Sequence, residues 1–352
     1  MNAPFAMTRT GLALADLNDP PEAARIEAFV ADAGGTLFHR PAWLRMVERG
    51  TGQRALGIVA RRRGTIAGWL PLTRVHSPIF GRALVSSGFA VGGGILAPDS
   101  EAANGLAQAA EELACRRSCP TVELRGGAMP GGWDTRSDTH VGFVTALADD
   151  DEAQLLAVPR KQRAEVRKSL AGDLSVRVGR GEGDRAAHYA VYAESVRNLG
   201  TPVFPRSLFD AALDELDADI LTVFHRDAPV ASVLSFYHSG TVLPYWGGGT
   251  FAARRLRANE RMYFELMLHA RRRGCMRFDF GRSKTGSGPA AYKKNWGFSP
   301  EPLIYATWSM PGSWGRNIDP TDDSYSAKIA LWKRLPLELA NRIGPPIARG
   351  LG

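Results

Sequence analysis

Phe278-Asp279-Phe280-Gly281-Arg282-Ser283 and, after Lys284 to Gly288, Tyr292-Lys293-Lys294-Asn295-Trp296-Gly297-Phe298 form the stretch densest in reactive side chains. Strand alternation puts Phe278 and Phe280 on one face and Asp279 on the other. The glycine-bearing run from Lys284 to Gly288 predicts a mobile loop. Gly297 predicts the stop of a short helix that presents Lys293. A carboxylate at a strand end and an ammonium on the next helix can orient a nucleophile and steady an oxyanion. A structural alternative stands beside this chemistry. Asp279 paired with Lys293 or Arg282 would be a partly buried salt bridge, and structural ion pairs outnumber catalytic ones.

The charge around this stretch is local. The chain of 352 residues carries a formal net charge of +8, yet residues 250–300 hold twelve lysines and arginines against Glu260, Glu265 and Asp279. A second basic cluster, Arg160, Lys161, Arg163, Arg167 and Lys168, is offset only by Glu165. Such a field points to an anionic partner at one site rather than to general coating of nucleic acid. Arg254, Arg255 and Arg257 fall at the expected start of a helix, where free backbone amides and the dipole favour an anion. Arg163 and Arg167 lie about one helical turn apart in that cluster, and a solvated helix face is one reading of it.

Two passages must position these groups. In the first, Pro41 opens a helix (Ala42 to Arg49), and strands follow at Ala55 to Arg61, Ile66 to Val75 and Ala83 to Ser86. Gly92-Gly93-Gly94, a helix from about Ser100 to Arg117 and a strand at Thr121 to Arg125 complete it. In the second, Pro205 opens a helix to about Leu216, and strands follow at Ile220 to Phe224, Val230 to Tyr237 and Val242 to Trp246. Gly247-Gly248-Gly249, a helix from about Leu256 to Arg273 and a strand at Arg277 to Phe280 complete it. Turns are expected at Arg63-Gly64 and Arg226-Asp227. The repeated order predicts an α/β fold of mixed αβ layers built from an internal duplication. The expected division is 1–148, 149–310 and a tail, 311–352, with an amphipathic stretch from Lys328 to Ile343.

Several chemistries are excluded. Gly281 to Gly286 lacks the P-loop lysine, and the glycine triplets lack both the dinucleotide spacing and its acidic residue. No G-x-S-x-G elbow occurs. Cys115 and Cys119 are wrongly spaced for zinc, the histidines are scattered, and no metal site is expected. Three cysteines make no disulfide framework. The first twenty residues do not read as a signal peptide, and no apolar run is long enough to span a bilayer. The expectation is a cytoplasmic protein.

The duplicated unit, the basic run Arg160-Lys-Gln-Arg-Ala-Glu-Val-Arg-Lys168 and the motif from Tyr292 to Gly297 resemble the FemAB peptidyltransferase group. That group consists of tandem acetyltransferase-like (GNAT) domains that use aminoacyl-tRNA to lengthen peptidoglycan bridges. Asn198-Leu-Gly-Thr-Pro-Val-Phe-Pro205, Tyr245-Trp-Gly-Gly-Gly249, Arg254 to Asn259, Phe278 to Lys284 and Lys293 to Phe298 resemble its branch accompanying exosortase/PEP-CTERM exopolysaccharide systems. The resemblance implies two tandem GNAT-like domains, each a mixed, mostly antiparallel sheet flanked by helices. It implies that Lys293 stabilises negative charge on the reacting carbonyl or on a substrate phosphate, with Asp279 and Tyr245 as further catalytic candidates. Arg163, Arg167, Arg254, Arg255, Arg257, Asn259, Arg282, Lys284, Trp246 and Tyr292 are the implied substrate-binding set. Strand alternation sends Tyr245 and Trp246 to opposite faces, which makes one of them a core aromatic. The implied co-substrate is an activated acyl donor, acyl-CoA or aminoacyl-tRNA, and no cofactor is covalently bound. Arg254 to Asn259 has no glycine where acetyltransferases keep a pyrophosphate loop, which leaves charged tRNA open as the anionic donor. Arg40 and Trp43 fall in the region the group uses for its acceptor, with core packing favoured for Trp43.

The resulting expectation is an acyl- or aminoacyl-transferase acting on an amine of a cell-envelope or exopolysaccharide-related precursor, with no DNA partner. Two other classes compete. A non-catalytic nucleic-acid binder would show steep salt dependence and indifference to acyl donors. A membrane-peripheral accessory would use the tail, with Ile329, Trp332, Leu335 and Leu339 on one face, at the inner face of the membrane. Docking of that tail on its own domain is the simpler outcome.

Overall fold

The computed structural model describes residues 11–313 and 323–352. They fall into two compact units, described separately.

The first unit begins with β1 (Gly11–Leu14), α1 (Pro20–Asp32) and α2 (Pro41–Thr51). Asp19 caps α1 by accepting the Glu22 amide, and prolines occupy the first turn of both helices. The strands β2 (Arg54–Arg62) and β3 (Thr65–Ser77) form the expected hairpin, with Arg63 and Gly64 both at positive φ. β4 (Gly81–Ser86), α3 (Ser100–Arg116), β5 (Thr121–Arg125) and β6 (Asp134–Arg136) follow. The alanine- and leucine-rich face of α3 packs on this sheet, through Ala102, Leu106, Ala110 and Leu113.

The second unit begins with β7 (His140–Gly142) and β8 (Val144–Ala146). α4 (Asp151–Ala157), α5 (Arg160–Leu170), β9 (Ser175–Gly179), α6 (Glu182–Leu199) and α7 (Arg206–Glu215) come next. Its hairpin strands are β10 (Ala218–His225) and β11 (Ala228–His238), and β12 (Thr241–Gly249) pairs with the latter. α8 (Ala253–Leu256), α9 (Ala258–Arg272), β13 (Arg277–Asp279), β14 (Ser283–Lys284), α10 (Gly288–Asn295) and β15 (Glu301–Pro302) complete it. The chain ends with β16 (Tyr305–Ser309), α11 (Asp323–Trp332) and α12 (Leu337–Ala348).

The sheets show the duplication. Besides a short third sheet, β14-β7-β15, one runs β1-β2-β3-β4-β5-β16-β6 and the other β8-β13-β12-β11-β10-β9. In each, a single parallel pair, β4–β5 or β12–β13, stands among antiparallel neighbours. The last strand beyond that pair is exchanged along the chain. β8 follows the first unit's β5 and β6 yet pairs with β13, while β16 follows the second unit yet pairs with β5. The unit boundaries therefore differ from 148/149 and 310/311. The second unit starts at Asp138 and gives up the chain at Leu303. Edge pairing is a long-range choice that the acidic run at 149–151 does not encode. The expected tail falls partly in residues 314–322, outside the described ones. Beyond them Ile329 of α11 lies against Gly200 in the α6–α7 loop.

Candidate functional site

β12 is the strand that makes a site. It pairs with β13 only at Thr241–Arg277 and Val242–Phe278, while its pairing with β11 continues to Gly249–Ala231. From Leu243 onward its other edge has no strand partner among the described residues, so a gap opens toward Gly249. Within β12, Pro244 lies opposite Ser235 and Trp246 opposite Leu234, which leaves Tyr245 as the extra residue of a bulge. Pro244, lacking an amide for the ladder, suits that position. The bulge corrects the expected alternation. Both rings reach Phe236, Tyr245 at 5.4 Å and Trp246 at 5.8 Å between centroids. Trp246 is the core aromatic, buried against Phe209 at 5.0 Å, and Tyr245 stays half-buried.

The glycine triplet answers to packing. A Cβ on Gly248 would fall 2.2 Å from Ser195 Oγ of α6. One on Gly249 would fall 2.6 Å from Asn259 Oδ1, a buried oxygen without a hydrogen-bond partner among the described residues. Two helices thus press on the open strand where only glycine fits.

The far side of the gap carries Asp279 and Lys293. Phe278 and Phe280 share the buried face, their rings 5.2 Å apart, as alternation requires. Asp279 Oδ1 accepts the Gly281 amide at 2.9 Å. Burial pushes the Asp279 carboxyl above the usual range, opposed by that amide and by the Lys293 charge. Ser287 caps α10 by accepting the Ala290 amide at 3.3 Å, and Gly297, at φ +90°, ends it as expected. Lys293 then reaches back, and its Nζ donates to the carbonyls of Gly281 and Arg282, each at 3.0 Å. Nζ also stands 5.4 Å from the ring centroids of both Phe143 and Phe280. Desolvation pulls the ammonium from 10.5 down to about 8, with Asp279 opposing. The two side chains interact electrostatically without a salt bridge between them.

The run from Lys284 to Gly288 is pinned rather than loose, since β14 pairs with β7 and Ser287 caps α10. Phe143 is the site residue the sequence reading missed. It lies between β7 and β8, fully buried, and its carbonyl accepts the Phe280 amide at 2.8 Å. The alternation Val141, Phe143, Thr145, Leu147 was the available signal.

The remaining candidates separate. Tyr292 turns into the core beside Tyr263 and Trp296, its hydroxyl 3.4 Å from Glu260, and burial raises its pKa well above normal. Arg282 and Lys284 are half-buried at the turn below Lys293. The expected helix from Leu256 is broken. Arg257 adopts φ +55° and separates the four-residue α8 from α9, and its guanidinium pairs with Glu165 on α5. Arg254 and Arg255 therefore sit on α8, exposed, and not at the N-terminus of the long helix. On α5, Arg163 donates to the Leu156 carbonyl at 3.0 Å while Arg167 is exposed. In the first unit, Trp43 is fully buried with its indole donating to the Gly88 carbonyl at 3.1 Å, and Arg40 pairs with Glu27.

The first unit closes the equivalent gap with its own backbone. Beyond β4 the chain returns at Gly94 to Leu96, where Leu96 and Trp69 exchange both backbone bonds. On the other edge, Gly94 donates to the Arg125 carbonyl at 3.0 Å and Ala128 to Ile95 at 3.0 Å. A Cβ on Gly94 would fall 1.8 Å from the Gly126 carbonyl oxygen. That strand is zipped on both sides; β12 is not.

Residues 157–294, within the second unit, match the acetyltransferase (GNAT) domain family. No curated protein sequence matches the chain. Among solved structures the chain is similar to FemX, with 16% identity over 86% of this chain and 96% of that one, at a TM-score of 0.64. It is similar to a tandem GNAT protein from the clavulanic acid biosynthesis pathway, with 14% identity over 86% and 100% of the two chains and a TM-score of 0.57. A C-terminal domain (DUF2156) assigned to a lysylphosphatidylglycerol synthetase of Agrobacterium fabrum gives 14% identity over 81% and 91%, at 0.56. Residues 157–294 are thus similar to a GNAT domain, and the chain has the fold of tandem GNAT proteins.

Proposed function

We propose that this chain is an acyltransferase that moves an activated acyl group onto an amine of a cell-envelope or exopolysaccharide-related precursor. The observation that carries the reading is Lys293. An ammonium has three N–H donors, and two are spent on the Gly281 and Arg282 carbonyls, which fix its position. The third is free for a carbonyl oxygen that gains charge, in a desolvated place where such a bond is worth most.

In the proposed reaction the amine nitrogen attacks the thioester carbon, a C–N bond forms and the carbonyl electrons collect on oxygen against Lys293. Their return expels the thiolate as the C–S bond breaks. The nitrogen loses a proton to Asp279, whose basicity burial raises, and the thiolate is protonated to the thiol. Tyr245, lifted from the ladder by the bulge, is the phenol on the β12 side available for that last proton. Asn259, Arg282, Lys284 and Arg163 are the proposed contacts to the donor or acceptor.

A thioester is the donor class favoured by the match to the acetyltransferase domain family. An aminoacyl donor with an envelope acceptor is the second reading, favoured by α8 standing where a glycine-rich phosphate loop would be. Thermal-shift titration with acetyl-CoA, longer acyl-CoAs and charged tRNA, followed by amine-dependent thiol release, tests both. Stabilisation by a thioester and thiol release that depends on Lys293 are expected. A response to none of these donors, and turnover of no other thioester, would overturn the transferase reading.

A further inference from the structure

We propose that the donor is presented by an acidic carrier protein, as a thioester on a phosphopantetheine arm, and that Phe251, Arg254 and Arg255 form its landing place. This rests on the acyltransferase reading above and adds the partner.

Three observations lead there. Phe251, two residues beyond Gly249 at the open end of the β12–β13 gap, is 85% exposed. It is held there rather than left loose: its amide donates to Glu194 Oε1 at 2.8 Å, and the preceding Thr250 amide donates to the Val230 carbonyl at 2.9 Å. An ordered, exposed aromatic beside arginines is the composition of a protein-binding hot spot. Arg254 and Arg255 are exposed, and neither has a carboxylate partner among the described residues. Beside them α5, tied to this region by the Arg257–Glu165 pair, exposes Arg160, Lys161 and Arg167. Glu165 is the acidic residue of these two segments and is already paired, and Glu194 of α6 lies at the Phe251 amide, so five exposed or part-exposed cations outweigh two carboxylates and the surface is complementary to an acidic one.

The third observation concerns what a free nucleotide-bearing donor would need. A pyrophosphate cradle requires backbone amides turned toward the ligand. Here the helical turn of α8 takes up two of the amides at that place, Leu256 bonding to the Ala252 carbonyl and Arg257 to the Arg254 carbonyl. A pantetheine arm needs only the open β12 edge. Its binding energy would come from the protein that carries it, through the basic rim and Phe251.

The test compares one acetyl group on three carriers: a purified bacterial fatty-acid-synthesis acyl carrier protein, coenzyme A and pantetheine alone. Deacylated tRNA and phosphatidylglycerol vesicles are run alongside, all against the full chain at low and at 0.3 M salt. The carrier-borne thioester is expected to bind at least tenfold tighter than the other two at low salt and to lose that advantage at high salt. The Arg254→Glu/Arg255→Glu double variant, and separately Phe251→Ser, should weaken carrier binding at least tenfold without moving the thermal midpoint. Equal affinity for acetyl-CoA and the carrier, or charge reversal that abolishes only tRNA or vesicle binding, would overturn the proposal. If acetyl-pantetheine supports amine-dependent thiol release but the carrier gives no advantage, this inference alone fails. If no thioester is turned over, the acyltransferase reading fails with it.

Discussion

Replacing Lys293 by methionine should stabilise the protein at neutral pH while removing transfer. The fall of the lysine from 10.5 to about 8 means that keeping its proton costs the folded state about 3 kcal/mol at pH 7. Methionine has nearly the same length, carries no charge and suits a site walled by Phe143 and Phe280. Against the relief stand two lost bonds to the Gly281 and Arg282 carbonyls, at about 1 kcal/mol each. The balance is a gain of about 1 kcal/mol at pH 7.

The sign reverses with alkali. Between pH 8 and 10.5 the unfolded lysine still holds its proton while the folded one has released it, so the parent gains stability as pH rises. By pH 10 most of the 3 kcal/mol is recovered, and the methionine variant should be the less stable by about 1 kcal/mol. Urea unfolding of both proteins at pH 7, 9 and 10 reads the difference, in which other titrations cancel. Thiol release per folded molecule should fall about 100- to 1,000-fold, as when one oxyanion donor is removed. A stability difference that does not move with pH, or a variant that keeps its rate, would refute the assignment of Lys293 as a desolvated, charged catalytic group.

The rate of transfer should fall as pH rises through about 8, and Lys293→Arg, which keeps its charge, should carry activity past pH 10 if the longer side chain is accepted; a pH–rate profile checks this. Its acid limb should lie above the usual carboxylate range because burial raises Asp279, and Asp279→Asn should remove that limb with most of the rate. His188, fully buried between Ser232 and Phe209, is held down to about 3 by desolvation. The unfolded histidine takes a proton below about 6.5 and the folded one does not, so up to about 4 kcal/mol is lost between pH 6.5 and 3, and His188→Asn should flatten that decline in acid melts. Gly248→Ala should cost about 2 kcal/mol through its clash with Ser195, and Ser195→Gly should recover part of it in a double-mutant cycle.

Much of the second unit was legible because it is local. The Arg226-Asp227 turn, the shared face of Phe278 and Phe280, and the helix stop at Gly297 depend on neighbours one to four residues away. What failed depends on distance. β7 and β8 are three-residue strands whose alternation is too short to fix them alone, and they are strands because β14, β15 and β13 pair with them. The bulge at Tyr245 requires the partner strand's register to be seen.

Charge shows the same limit from another side. The excess of nine across residues 250–300 is answered in part by four carboxylates outside that window: Arg257 by Glu165, Arg271 and Arg272 by Asp151, Arg273 by Asp217 and Asp219. A count along the chain sees the arginines and not their partners. Subtracting the pairs leaves a smaller and better-placed field, with Arg254 and Arg255 beside Phe251 at the mouth of the open edge. Half-exposed pairs of this kind are worth little to stability. Their consequence is directional: they quench the basic surface elsewhere and leave it unquenched where a donor would arrive.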